Sequence, residues 1–268
     1  MSMVTVDKLA LVWASISTLC RDLSDAQWKT ATECPGWTVQ DQISHLIGTE
    51  RMLGGKPASA HEAAQVDHVH NAIGAMNENN VDERRGRPGA QVLAEFDELT
   101  AERLLQLRRS TPDDFATAAM TPTGPGTVAD FLHIRVMDNW VHEQDIRRAL
   151  GRPGHLDGPA AEHSVDRFLT GVPMIVGKRA RAPQGASVRL VLTGPVRRDG
   201  TVVVGERAQW STEPVPAPTV TVRMGSGAYV TATTGRQPGT ELAAQGRIVV
   251  SGDATLGAAF VAGLNIMI

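Results

Sequence analysis

Thr127-Val-Ala-Asp-Phe-Leu-His-Ile-Arg-Val-Met-Asp-Asn-Trp-Val-His-Glu-Gln-Asp-Ile-Arg-Arg-Ala-Leu150 is the stretch on which the reading of this chain turns. Thr127 followed three residues later by Asp130 is the pattern of a capped helix start. Gly151, Arg152 and Pro153 stop the helix, because proline cannot continue it. On a wheel of about 100° per residue, Phe131, Ile134, Val141 and Ala149 make one inward stripe. Asp138, His142 and Asp145 fall inside that stripe, whereas Asn139, Glu143 and Arg147 are expected on an outward, solvated face. A carboxylate and an imidazole turned toward a core cost several kcal/mol unless paired or bound to a metal. Asp138 and His142 stand one helical turn apart, so both can reach one point. They read as a ligand pair or as a buried ion pair.

Upstream, Val4, Leu9, Val12, Ile16 and Leu19 recur at helical spacing over 4–23, which predicts a first amphipathic helix. Cys34-Pro35-Gly36-Trp37 is a turn, after which Thr38 and Asp41 cap a second helix reaching about Leu53. Ile43, Leu46, Ile47 and Leu53 form its core face, and His45 sits round from the middle of that face, ambiguous when taken alone. Residues 54–90 are rich in Gly, Pro, Asn, Ala and His; they read as a mobile loop with one short helix. His61, His68 and His70 within it lack a clean ligand spacing. A third long helix is expected at about 90–109, and a Pro-Gly segment at 122–126 leads into the stretch quoted above. Four long helices with irregular connections predict a four-helix bundle.

After Gly154 the periodicity changes. One more helix is expected at 159–178, followed by strands at 187–192, 201–204 (after a turn at Asp199-Gly200), 219–224 and 247–250. Ser226 caps a short helix to about Thr234, and 254–264 is a final helix. The expectation is an α+β two-domain chain: residues 1–153 a helical bundle, residues 154–268 an α+β domain with a mainly antiparallel sheet.

Composition narrows the function classes. The chain has 268 residues and a net charge of −3, with no basic run longer than two residues, so nucleic acid is not an expected partner. Cys20 and Cys34 alone exclude a disulfide framework and suit a reducing cytoplasm. No signal peptide is apparent, and no run approaches the continuous apolar length of about 18 residues that spans a membrane. The expectation is a cytoplasmic protein with no membrane partner, monomer or homodimer.

Two segments resemble a known family. Cys34-Pro-Gly-Trp-Thr-Val-Gln-Asp-Gln-Ile-Ser-His-Leu46 is similar to the N-terminal signature of mycothiol-dependent maleylpyruvate isomerases and their DinB-like relatives. Trp140-Val-His-Glu-Gln-Asp-Ile-Arg-Arg-Ala-Leu-Gly151 is similar to the second signature. Thr233-Thr-Gly-Arg236 and Val250-Ser-Gly-Asp-Ala-Thr-Leu256 resemble the family's second domain, which is related in fold to sterol carrier proteins.

The resemblance implies a divalent metal, usually zinc, in the bundle, with mycothiol as thiol cofactor and a small molecule as substrate. Carried over residue by residue, the ligands are His45, Asp138 and His142, with aspartate where the family has glutamate. Three protein ligands and an open position suit a catalytic zinc, and Asp145 could orient a ligand histidine. A zinc-bound thiol loses its proton. The family's isomerase adds that thiolate to the double bond of a cis-unsaturated keto acid; rotation and expulsion of the thiolate then yield the trans isomer. An S-transferase relative would stop at addition or displace a leaving group, and a non-catalytic ligand-binding protein is the other alternative. Arg236 matches a position where the family holds substrate carboxylates through arginine's bidentate fork, and equally reads as a surface charge at a helix end. Trp37 and Trp140 could line the pocket or serve packing. Cys34, with no base beside it in the pattern, reads as structural.

Overall fold

The computed structural model describes residues 2–57 and 59–267. These residues cluster into two compact units, Met1–His155 and Leu156–Ile268, whereas the sequence reading drew its division after residue 153.

The first unit contains α1 (Ser2–Cys20), α2 (Asp25–Trp28), α3 (Val39–Leu53), α4 (Ala72–Arg85), α5 (Gly89–Arg109), α6 (Pro112–Ala116) and α7 (Val128–Ala149). Helix α1 packs on α7, α7 on α3, α3 on α5 and α5 back on α1, which closes a four-helix ring. Val6, Leu9, Val12, Ile16, Ile43, Leu46, Ile47, Phe96, Val136 and Ile146 are fully buried. Both expected capping boxes are present. The Thr38 Oγ1 accepts from the Asp41 amide and Thr127 Oγ1 from that of Asp130, while each aspartate accepts from its cap residue's amide. A short antiparallel hairpin, β1 (Ala118–Thr121) with β2 (Gly124–Thr127), feeds α7.

Two sequence expectations need correction here. Residues 72–85 form a 14-residue helix, α4, not a short one within a loop; it starts on an Asn71 cap and packs on α3. Asn139 and Glu143 of α7 are fully buried, because α7 lies between α1 on one side and α3 on another. Trp13 Nε1 donates to Asn139 Oδ1 (3.0 Å), and Ser15 Oγ donates to Glu143 Oε1 (2.6 Å). Met3–Cys20 is long and, on average, apolar enough to cross a membrane by length and composition, although Asp7 and Lys8 interrupt any continuous apolar run, as the sequence reading expected. Its Val6, Leu9, Val12 and Ile16 face is buried within the bundle, as a core helix requires.

The second unit contains α8 (Gly158–Leu169), α9 (Val172–Met174) running into a π-helical turn (Ile175–Arg179), then β3 (Ser187–Thr193), β4 (Arg198–Val204), β5 (Ala208–Ser211), β6 (Val220–Gly225), α10 (Ser226–Thr233), α11 (Gly239–Ala244), β7 (Ile248–Gly252) and α12 (Ala254–Ala262). Its five-stranded sheet runs β5-β4-β3-β6-β7, antiparallel except for the parallel β3–β6 pair. The α+β class expected from the sequence holds. The helix expected at 159–178 instead breaks after Leu169. Asp199-Gly200 is not a turn but part of β4. A Cβ on Gly200 would lie 2.2 Å from the Trp210 ring, so the glycine makes room for an indole across the β4–β5 pair.

Candidate metal and thiol site

Two helices aim polar side chains at each other in the bundle. The capped start of α3 fixes the phase in which Gln42 and His45 face α7, and α7 answers with Arg135, Asp138, His142 and Asp145, one turn or so apart along one face. Every one of these except Asp138 is buried, and the Asp138 side chain is only 14% exposed.

The distances are short. His45 Nε2 lies 3.3 Å from Asp138 Oδ2. His142 Nε2 lies 3.5 Å from Asp138 Oδ1, and its Nδ1 lies 3.5 Å from Asp145 Oδ2 while also contacting Gln42 Oε1. One donor atom each from His45, Asp138 and His142 falls within 4.8 Å of the others. The two imidazole rings meet edge to face at 4.7 Å, and the Trp37 ring lies against both, at 5.2 Å from His45 and 6.1 Å from His142.

Charge is arranged as tightly as shape. Arg135 Nη1 donates to Asp138 Oδ2 at 2.5 Å and Arg135 Nε to Glu50 Oε1 at 2.8 Å; Arg103 Nε reaches Glu50 Oε2 at 3.4 Å. Burial by itself would raise the Asp138 carboxyl, but the Arg135 charge and then His142 outweigh it and hold Asp138 well below the usual carboxylate range. Burial lowers His45 below the ordinary histidine value, with Asp138 opposing. For His142, burial pulls down, but Asp138 and Asp145 together raise it. The result is one anionic oxygen pair faced by two imidazoles.

The other sequence candidates fall as follows. Cys34 is half-buried, and its Sγ, a His142 nitrogen and an Asp145 oxygen lie within 4.8 Å of one another, so a base does stand beside it. Trp140 is buried and its Nε1 donates to the His155 carbonyl (2.8 Å), a packing role. His61 pairs with Asp82 (2.7 Å) and His68 with Glu78 (3.1 Å), while His70 is exposed; none of the three joins a candidate metal group among the described residues. Glu78 also accepts from Trp37 Nε1 (2.9 Å), and Gly36, at φ +75°, leaves space that the His68 ring occupies. Arg236 lies in the second unit, where its Nη1 donates to the Thr234 carbonyl (3.1 Å). Sequence reasoning missed Gln42, Glu50, Arg103 and Arg135. Of these, only Arg135 carried a local signal, its i,i+3 spacing to Asp138.

Residues 9–147 match the family model described as the mycothiol maleylpyruvate isomerase N-terminal domain, just over half of the chain. The chain belongs to this family. Within the matched residues lie His45, Asp138 and His142. Two proteins of Mycobacterium tuberculosis, from strains CDC 1551/Oshkosh and H37Rv and both described as uncharacterized, are 28% identical over 148 residues, covering 51% of this chain and 52% of each relative. The chain thus spans about half the length of the curated relatives it matches. Crystal structures of the mycothiol-dependent maleylpyruvate isomerase and of a histidine-to-alanine mutant of it align with 94% of this chain and 93% of theirs, at a TM-score of 0.58 and 15% identity. That likeness is one of fold. A sterol carrier protein from Aedes aegypti, 20% identical, aligns with 36% of this chain and 93% of its own at a TM-score of 0.30, too low to bear on the fold.

Proposed function

We propose that this chain is an enzyme that uses mycothiol as its thiol cofactor and isomerises a cis-unsaturated keto acid such as maleylpyruvate, with a divalent metal, zinc by preference, held by His45, Asp138 and His142. The observation that carries the reading is the convergence of two imidazoles and a carboxylate, from two helices of the family's domain, on one buried point. The donor set fits such an ion. Two histidines and one carboxylate are a recurrent catalytic zinc set. Ligands about 2.0–2.2 Å from a tetrahedral zinc lie about 3.4 Å apart, and each histidine lies near that distance from one oxygen of Asp138, His45 from Oδ2 (3.3 Å) and His142 from Oδ1 (3.5 Å).

When bound, a metal with an open position makes a thiol available as thiolate near neutral pH. The protein's own residues prepare the place. Gln42 and Asp145 engage Nδ1 of His142, which leaves Nε2 turned to Asp138. The Trp37 ring covers both imidazoles and restricts water there. Arg236 is assigned the substrate carboxylate, so Arg236→Lys should raise KM more than it lowers kcat.

Metal analysis of the purified chain tests the reading. About one divalent ion per chain is expected, falling to a small fraction in His142→Ala. Unchanged metal content in that variant refutes the ligand assignment.

A further inference from the structure

We propose that Arg135 is a positioning residue: anchored by Glu50, it fixes the Asp138 carboxylate so that Oδ1 is left to a divalent metal shared with His45 and His142. The inference rests on the metal reading above and adds a residue that reading does not require.

Four charges alternate through the bundle, Arg103, Glu50, Arg135 and Asp138, drawn from α5, α3 and α7. The Arg103, Glu50 and Arg135 side chains are each at most 6% exposed. Such a row is expensive to desolvate, and apolar residues of similar volume commonly stabilise a core as well or better. Stability alone therefore gives weak reason for it. Geometry gives a stronger one. The guanidinium is a rigid plane, so once Glu50 holds Nε at 2.8 Å, the place of Nη1 is set. Nη1 in turn holds Asp138 Oδ2, the oxygen that His45 Nε2 also approaches (3.3 Å), at 2.5 Å, while Oδ1 stays directed at His142 Nε2, 3.5 Å away. An aspartate carboxylate otherwise rotates broadly about its last torsion. Without the hold on Oδ2, the carboxylate plane would spend part of the time turned so that neither oxygen is directed at His142.

The opposite view of the same contact is that Arg135 is a rival cation that repels a metal from Asp138. The two views predict opposite signs. Full-length protein, stripped with a chelator, is titrated with Zn2+ against a chromophoric competitor, and separately with Co2+ while its visible ligand-field bands are recorded. Arg135→Gln is expected to bind Zn2+ about 10–100-fold more weakly and to alter the Co2+ bands. Arg135→Lys, a single point donor, should recover part of the loss, and Glu50→Gln should weaken binding in the same direction. If Arg135→Gln does not fold, the double variant Glu50→Gln/Arg135→Gln, which removes the stranded charge, carries the same expectation. Unchanged or tighter Zn2+ binding in a folded variant overturns the proposal while leaving the ligand assignment intact. A wild-type chain that takes up no metal overturns the functional reading itself, and this inference with it.

Discussion

Replacing Glu143 by alanine should sharply destabilise the first unit, although a helical wheel alone places this residue in solvent. Its side chain has no exposed surface and accepts three hydrogen bonds: from Ser15 Oγ at 2.6 Å, Arg147 Nε at 2.7 Å and His155 Nδ1 at 2.8 Å. It thereby ties α1 and the chain after α7 to α7 itself. Stranding the partner of a buried ion pair costs about 3–5 kcal/mol. The Arg147 and His155 side chains keep 15% and 21% exposure, so water can reach them, and the low end, about 3 kcal/mol, applies. At about 2–4 °C per kcal/mol for a domain of this size, Tm should fall by about 6–12 °C. Glu143→Gln keeps an acceptor for Ser15 and should lose less, about 1–2 kcal/mol. Urea and thermal unfolding followed by far-ultraviolet circular dichroism measure both, with the urea slope expected unchanged. A fall of less than about 2 °C for the alanine variant would refute the buried placement of this face.

Three further outcomes follow from the packing. Burial, with Glu143 nearby, pushes the Cys20 thiol up to about 12, whereas Cys34 is half-exposed; an aromatic disulfide reagent at pH 8 should therefore label one thiol, Cys34, in the native protein and the second only after unfolding. A Cβ on Gly89 would lie 2.2 Å from the Trp28 ring, so Gly89→Ala should destabilise by about 1–3 kcal/mol in the same urea assay despite alanine's better helix propensity. Burial alone would raise the Glu95 carboxyl, but bonds from Arg84 and Arg87 outweigh it and lower its pKa. A depressed folded pKa gives stability that is present above the unfolded value and lost as pH falls below about 4, so Glu95→Gln should narrow the stability difference between pH 7 and pH 3.

Much of the bundle could be read locally. The Thr38–Asp41 and Thr127–Asp130 boxes are short-range patterns, and the core faces of α1, α3 and α5 each repeat at the helical period. The α7 wheel misled because it presumes one buried face, while α1 and α3 both pack on this helix and absorb Asn139 and Glu143. Helix α4 was hard to see because Ala72–Arg85 buries only Glu78, Val81 and Arg84, and two of those are charged. It is held to α5 and α3 by ion pairs such as Arg84–Glu95 and Arg85–Asp41, between residues whose proximity no local period announces. The strand Ala208–Ser211 is four residues long and lacks β-branched residues, so it offered no alternation to find. At the site, spacing nominated Asp138 and His142, and resemblance added His45. Glu50 and Gln42 became visible only when α3 was laid against α7, 85 and 100 residues distant from their partners.

The thiol claim is tested most directly by calorimetric titration of metal-loaded protein with mycothiol, beside the Asp138→Ala variant carried through the same loading. The account predicts saturable binding of about one mycothiol per chain in the wild type and none measurable in the variant. Absence of binding to the metal-loaded wild type, or equal binding by Asp138→Ala, would contradict it.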